Sequence, residues 1–186
     1  LDASDTATIT SSANRVSAWA DKSGNGNNAA QGTAGLKPTT NTTTMNGKNV
    51  LDFSSNLIVV SSFLLSSANT VFIVFTSASA AAQILIEHSA NWNTNLGQLH
   101  NISSATAYAS GYNRGATAAA NGDNASLTTR TSGAHQLTFQ GGGSYATLLA
   151  WQDAAALTKT PVYNNTCGVS NATTTFNIGD RAGGGV

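Results

Sequence analysis

An all-β sandwich of two antiparallel sheets is the fold this sequence predicts, and three observations predict it. Strong helix formers are scarce: the 186 residues include one Glu and one Met, while Thr, Ser, Val, Asn and Gly fill the chain. Short β-branched or aromatic runs recur, separated by Gly-, Asn- and Ser-rich turns. Only Pro38 and Pro161 could interrupt a ladder. Branched side chains pack well on a pleated surface, and Gly, Asn and Ser suit tight turns. Eight or more such strands bury their apolar sides best as two layers. The length suits one domain with a real core.

The strands follow in order. Lys48–Phe53 (KNVLDF) alternates Val50 and Asp52 against Leu51 and Phe53, and Leu57–Val60 (LIVV) is a short apolar run. Thr70–Thr76 (TVFIVFT) is the strongest segment, reading as a strand buried on both faces. Gln83–His88, Thr106–Tyr112, His135–Gln140, Ala146–Trp151 and Thr175–Ile178 complete the series. Ser77–Ala82 (SASAAA) has helical propensity but is short and lies between strands, so it reads as a loop or bulge. Ala116–Asn124 reads as a surface connection. No linker divides the chain, and no exact repeat occurs.

Composition narrows the function classes. Eight basic and eight acidic residues cancel, and charged residues make up 9% against an ordinary ~25%. No Lys/Arg cluster is present, so no nucleic-acid groove is expected. No apolar run approaches the ~20 residues of a membrane-spanning helix. LDASDTATIT lacks the basic and apolar regions of a signal peptide. The lone Cys167 cannot form an internal disulfide and reads as a small hydrophobe. A surface this neutral suits a protein fixed in an assembly or exposed outside a cell.

The stretch Trp19–Ala30, WADKSGNGNNAA, poses the first site question. Asp21, Ser23, Asn25 and Asn27 alternate around Gly26, matching positions one, three, five, seven and six of a calcium loop. Position twelve, where a bidentate acid belongs, is Gly32. One carboxylate among neutral oxygens would bind calcium weakly, so these four residues are a weak calcium candidate and no cofactor is expected. The favoured reading is a structural turn of Trp19, Asp21, Ser23, Gly24, Asn25 and Gly26. The glycines permit positive φ, the Asn side chains bond to nearby backbone, and Trp19 lies beneath with its indole N–H satisfied.

WADKSGNGNNAAQG resembles the W-x-D-x-S-G-N-G-x-x-A signature near the start of laminin-G-like, concanavalin-A-like jelly rolls. LDASD at the start, Pro38, Asn46-Gly47-Lys48 with LDF at 51–53, the TVFIVFT strand and FNIGDRAGGG near the end are similar to successive parts of that family. The resemblance implies a single laminin-G-like jelly roll over 1–186. It also implies a closing strand after the IG-x-R segment, which this sequence does not continue into. Tyr163-Asn164-Asn165 stands where the family often has a Y-V-N-G hairpin, with the glycine displaced to Gly168.

Chemistry is hard to find in the sequence. Glycosidases need two placed carboxylates; Glu87 is the only glutamate, and Glu87-His88-Ser89 does not supply the E-x-D-x-x-E of concanavalin-like glucanases. Asp123 and Asp153 lie in or near loops without a matching motif. No G-x-S-x-G elbow accompanies the serines. His88, His100 and His135 are too widely spaced for a zinc signature, and Glu87 and His88 could simply pair at a strand edge. Gly141-Gly142-Gly143 lacks the lysine of a phosphate loop. The expectation is a domain that is not an enzyme.

Binding is the remaining possibility. Sugar sites combine an apolar platform with amides or acids, because a pyranose has an apolar face and a hydroxyl rim. HSANWNTN offers that mixture in His88, Asn91, Trp92, Asn93 and Asn95, although Trp92 could equally cap the core. Tyr108, Tyr112, Asn113 and Arg114 form a second, smaller patch. The sequons at Asn41, Asn101, Asn124, Asn164 and Asn171 follow from a chain rich in Asn and Thr and do not establish secretion. Jelly rolls of the resembled family occur on phage and other virion surfaces. The resemblance therefore implies a structural or interaction module of a virion, in capsid decoration or at a tail, with other surface proteins or cell-surface glycans as partners. The alternative is a carbohydrate-binding module of a secreted bacterial protein, outside the cell or on its surface.

Overall fold

The computed structural model describes residues 1–66, 69–77, 82–88, 98–112, 123–128, 130–131, 133–141, 148–164 and 171–180. Sixteen strands among the described residues carry the fold: β1 (Ile9–Ser12), β2 (Arg15–Trp19), β3 (Ala29–Ala30), β4 (Thr39–Met45), β5 (Lys48–Asp52), β6 (Ile58–Ser66), β7 (Thr70–Ser77), β8 (Gln83–His88), β9 (Gln98–Ser104), β10 (Ala107–Tyr112), β11 (Asp123–Thr128), β12 (Gly133–Gln140), β13 (Leu149–Gln152), β14 (Ala155–Ala156), β15 (Thr158–Asn164) and β16 (Asn171–Ile178). Single 3-10 turns at Thr6–Thr8 and Ala34–Leu36 are the described helical pieces. No described helix is long and apolar enough to cross a membrane.

The strands form two antiparallel sheets packed as a sandwich. A twelve-stranded sheet runs β15-β11-β10-β9-β8-β16-β6-β3-β2-β4-β5, with β1 paired to β2; a four-stranded sheet runs β14-β13-β12-β7. Two apolar clusters form the core, and the first of them joins the two layers. Ile102, Tyr108 and Leu127 of the large sheet meet Leu137, Phe139, Leu148 and Ala150. Val16, Trp19, Ala29, Ile58 and Val60 form the second, with Phe63, Phe176 and Ile178 against it.

Local chemistry explains several junctions. Asn46 and Gly47, both at positive φ (51° and 73°), make the two-residue turn between β4 and β5. Gly179, at φ 95°, donates its N–H to Leu85 O at 3.1 Å, tying the end of β16 to β8. A Cβ there would overlap the Phe53 ring and lie 2.8 Å from Asn56 O. Glycine is therefore required by both space and backbone angle. Buried Arg130 bonds Ser104 O (3.2 Å) and Ala105 O (2.9 Å) and lies 5.8 Å from the Tyr108 ring centroid, closing one end of the first cluster.

Three expectations need correction. TVFIVFT forms β7 but is not buried on both faces: Phe72 is 66% and Val74 63% exposed, because they stand on the face of the smaller sheet turned away from the core that Val71, Ile73 and Phe75 meet. Asp123 and Asn124 belong to β11 rather than to a connection; 116–122 lie outside the described residues. Trp19 is buried in the second cluster, but its indole Nε1 has no hydrogen-bond partner among the described residues. Ser77 ends β7, and 78–81 lie outside the described residues, as do Cys167, Gly142 and Gly143.

Candidate functional site

The turn at 21–28 is built around Asp21. Its Oδ1 accepts the Ser23 N–H at 2.8 Å, while Oδ2 accepts the Ser23 hydroxyl at 2.6 Å and the Asn27 N–H at 3.1 Å. These donors, the Ser23 hydroxyl foremost, hold the carboxyl below its ordinary range. Ser23 Oγ accepts from Asn25 N (3.3 Å) and Nδ2 (3.0 Å), and Asn28 Oδ1 accepts the Asp21 N–H at 2.8 Å. Gly24 and Gly26 stand at φ 82° and 74°. The acceptor atoms of Asp21 and Ser23 thus serve the loop's own donors, the arrangement of an Asx turn. Lys22 reaches back to Asp5 (2.8 Å) and Asp2 (3.4 Å), fastening the N-terminal segment to this loop. Among the described residues, no group of three or more His, Cys, Asp or Glu could share a metal ion.

His88 is 1% exposed. Its Nε2–H donates to Phe63 O at 3.1 Å, and its ring lies 5.1 Å from Phe63 and 6.1 Å from Phe176, centroid to centroid. Burial is the main cause that lowers its pKa. In this position it packs among aromatic rings instead of presenting itself to a surface ligand. Asn91, Trp92, Asn93 and Asn95 lie outside the described residues. Glu87 and His88 are successive strand residues on opposite faces, which precludes the side-chain pairing expected from sequence. Tyr108 is a core residue, with its hydroxyl donating to Gln152 Oε1 at 2.9 Å; Asn113 and Arg114 lie outside the described residues.

A different set of residues converges. Asp153 (φ 52°) and Ala154 (φ 67°) make the tight turn between β13 and β14. That turn brings the Asp153 carboxylate back onto the start of β12. Oδ1 accepts the Gln136 N–H at 2.9 Å, and Oδ2 meets His135 Nδ1 at 2.6 Å. The Gln136 amide, then the imidazole, lowers the Asp153 pKa and keeps it a carboxylate. Since Nδ1 faces a carboxylate it carries the ring proton, leaving Nε2 to accept from Thr131 Oγ1 at 3.2 Å. Thr131 Oγ1 in turn accepts from Gln152 Nε2 at 2.7 Å. A hydrogen-bonded chain therefore runs from core Tyr108 through Gln152, Thr131 and His135 to Asp153 at the surface.

The tip of the β4–β5 hairpin reaches the same place. Met45, Asn46, Val74, Ala134, His135, Gln136 and Asp153 line an open groove of about 220 Å³. Met45, Val74 and Ala134 give it apolar surface, and Asn46, Gln136, His135 and Asp153 offer two amides, an imidazole and a carboxylate. Such a mixed lining can hold a small hydroxyl-bearing group by apolar contact together with donors and acceptors. Sequence reasoning passed over this site because its parts come from four separate segments, at 45–46, 74, 134–136 and 153. The traceable signals were the Asn-Gly turn at 46–47 and the pairing of the 135–140 and 146–151 segments, which sets Asp153 beside Gln136. No family model, curated protein or solved structure matches this chain.

Proposed function

We propose that this chain is a non-catalytic interaction module with a concanavalin-A-like jelly-roll fold, carried on a virion surface, and that it takes a glycan in the groove between the β4–β5 turn and the β13–β14 turn. The observation that carries the ligand reading is the lining of that groove, which combines Asn46, Gln136, His135 and the Asp153 carboxylate with the apolar Met45 and Val74. A pyranose has the complementary surface. Absence of catalysis is supported by Glu87, the only glutamate, being 1% exposed and so out of reach of a glycosidic bond. The jelly-roll assignment and the virion setting rest on the resemblance of WADKSGNG, NGK and FNIGDR.

The experiment is a glycan array probed with the parent, Gln136→Ala and Asp153→Asn, with unfolding midpoints measured alongside. Binding by the parent that both variants lose while still folded is the expected result. No binding by the parent, or binding lost only in Trp92→Ala, defeats the groove reading. The second setting is a carbohydrate-binding module of a secreted bacterial protein; neighbouring polysaccharide-degrading genes would favour it, and capsid or tail genes the virion. A purely structural role in capsid decoration or at a tail is favoured by one further observation: Phe72, Val74 and Leu149 stand exposed on the four-stranded sheet.

A further inference from the structure

Alternation along each strand sorts the four-stranded sheet into a core face and a solvent face. Leu137 and Phe139 of β12, Ala150 of β13, and Val71 and Ile73 of β7 belong to the first apolar cluster. Their strand neighbours therefore point outward: Gln136, Thr138 and Gln140 on β12, Leu149 and Trp151 on β13, Phe72 and Val74 on β7. Register sets these residues side by side. Val74 is opposite Gln136, Phe72 is opposite Thr138, and Thr138 is opposite Trp151 on its other side. Gln140 lies in the same way between Thr70 and Leu149. The solvent face thus carries a stripe of amide and hydroxyl groups along β12, flanked by Phe72 and Val74 on one strand and by Trp151 and Leu149 on the other.

Three observations bear on what this stripe fits. It is continuous with the groove, because Val74 and Gln136 also line the groove beside Asn46 and Asp153. Its charge is uniform: the outward positions of β7, β12 and β13 carry no ionisable side chain, and the groove end holds the Asp153 carboxylate, which repels an acidic sugar. Its spacing suits a ring with two apolar faces and a hydroxyl rim. Two strand spacings separate the Phe72 and Trp151 backbones by about 10 Å. Carbon contacts of about 4 Å on each side leave room for one pyranose over Thr138. From Gln136 to Gln140 the stripe runs roughly 14 Å, the length of about three sugar units.

We propose that the groove receives the end of an uncharged linear glycan with equatorial linkages, and that the following units lie along β12 between the two flanking strands. Equatorial linkages keep such a chain extended, as a straight stripe requires. Phe72 and Trp151 supply apolar contact to the ring faces, and Gln136, Thr138 and Gln140 supply donors and acceptors to the hydroxyl rim. The proposal rests on the glycan reading of the groove and adds chain length to it.

NMR chemical-shift titration tests it, with the monosaccharide and the tetrasaccharide of the cello-, xylo- and chito- series as probes. The monosaccharide is expected to shift the amides of Asn46, Gln136 and Asp153 alone. The tetrasaccharide of the same series should also shift Thr138 and Gln140 and bind at least about tenfold more tightly. Phe72→Ala removes an exposed ring, so its unfolding midpoint should match the parent's. It should weaken the tetrasaccharide by about threefold to tenfold and leave the monosaccharide unchanged, whereas Phe72→Tyr should keep both. Equal affinity for the two lengths, with shifts confined to the groove, overturns this inference alone and leaves the face to a protein partner. Shifts at Thr138 and Gln140 without any in the groove overturn it as well. No shift with any probe overturns it together with the glycan reading.

Discussion

Lowering the pH from about 7 to about 4.5 should cost this protein roughly 2.5 kcal/mol of stability through one side chain, His100. The imidazole is fully buried on β9 and stacks on Phe139 of the facing sheet, with centroids 4.2 Å apart and planes 21° from parallel. Burial pushes it down to about 3 from its ordinary 6.5. The folded state therefore keeps His100 neutral where the unfolded chain takes up a proton. Stability is present in full above 6.5 and is lost as pH falls toward 3, by up to ~1.36 kcal/mol per pH unit. His88, lowered in the same direction by burial, adds to the loss. Asp2, Asp21 and Asp153 are lowered too, but from 3.8, so their contributions fade only at more acid pH. The interval between about 4.5 and 6.5 thus isolates the histidines. The assay is urea unfolding at several pH values, for the parent and for His100→Leu. The parent should weaken steadily toward acid, and the variant should lose much of that slope whatever its own stability. A parent as stable at about pH 4.5 as at 7, or a variant with the parent's slope, would refute the reasoning.

Trp19→Ala should cost about 3–5 kcal/mol, the range for truncating a large core side chain, whereas Trp19→Phe should cost much less because it also removes an unpartnered buried N–H. Equal unfolding midpoints for the parent and the alanine variant would remove Trp19 from the core. Gly179→Ala should cost about 2–4 kcal/mol, since the new methyl meets Phe53 and the Asn56 carbonyl at a φ that alanine resists. A midpoint unchanged from the parent would mean that the 179 turn moves freely.

Legibility followed how local each signal was. The LIVV, TVFIVFT and QILIEH runs announce β6, β7 and β8 because branched and aromatic side chains favour extended backbone wherever the chain later places them. The Asx turn at Asp21 was legible for a similar reason: its bonds join residues two to seven apart. Thr39–Met45 and Gln98–Ser104 were not legible as strands. TTNTTTM has no apolar alternation, and QLHNISS places His100 inward where a hydrophobe is expected. His88 misled for the same reason: an imidazole counts as polar in sequence, yet its ring fills a gap between Phe63 and Phe176.

By itself the sequence determined an all-β chain, the tight turns at 21–28 and 46–47, and a composition rich in amides and hydroxyls with few charges. Tertiary structure alone decided which face of each strand meets water and which distant groups meet each other. TVFIVFT carries the same side chains wherever it lies; Phe72 and Val74 are exposed because the fold turns them to the face of the smaller sheet away from the core that Val71, Ile73 and Phe75 meet. His135, Asp153 and Met45 become one groove only when the tip of the β4–β5 hairpin, from the larger sheet, meets β12 and the β13–β14 turn of the smaller one. The reason is physical. Backbone preference is a property of a few consecutive residues, whereas burial and site geometry belong to pairs brought together from far along the chain.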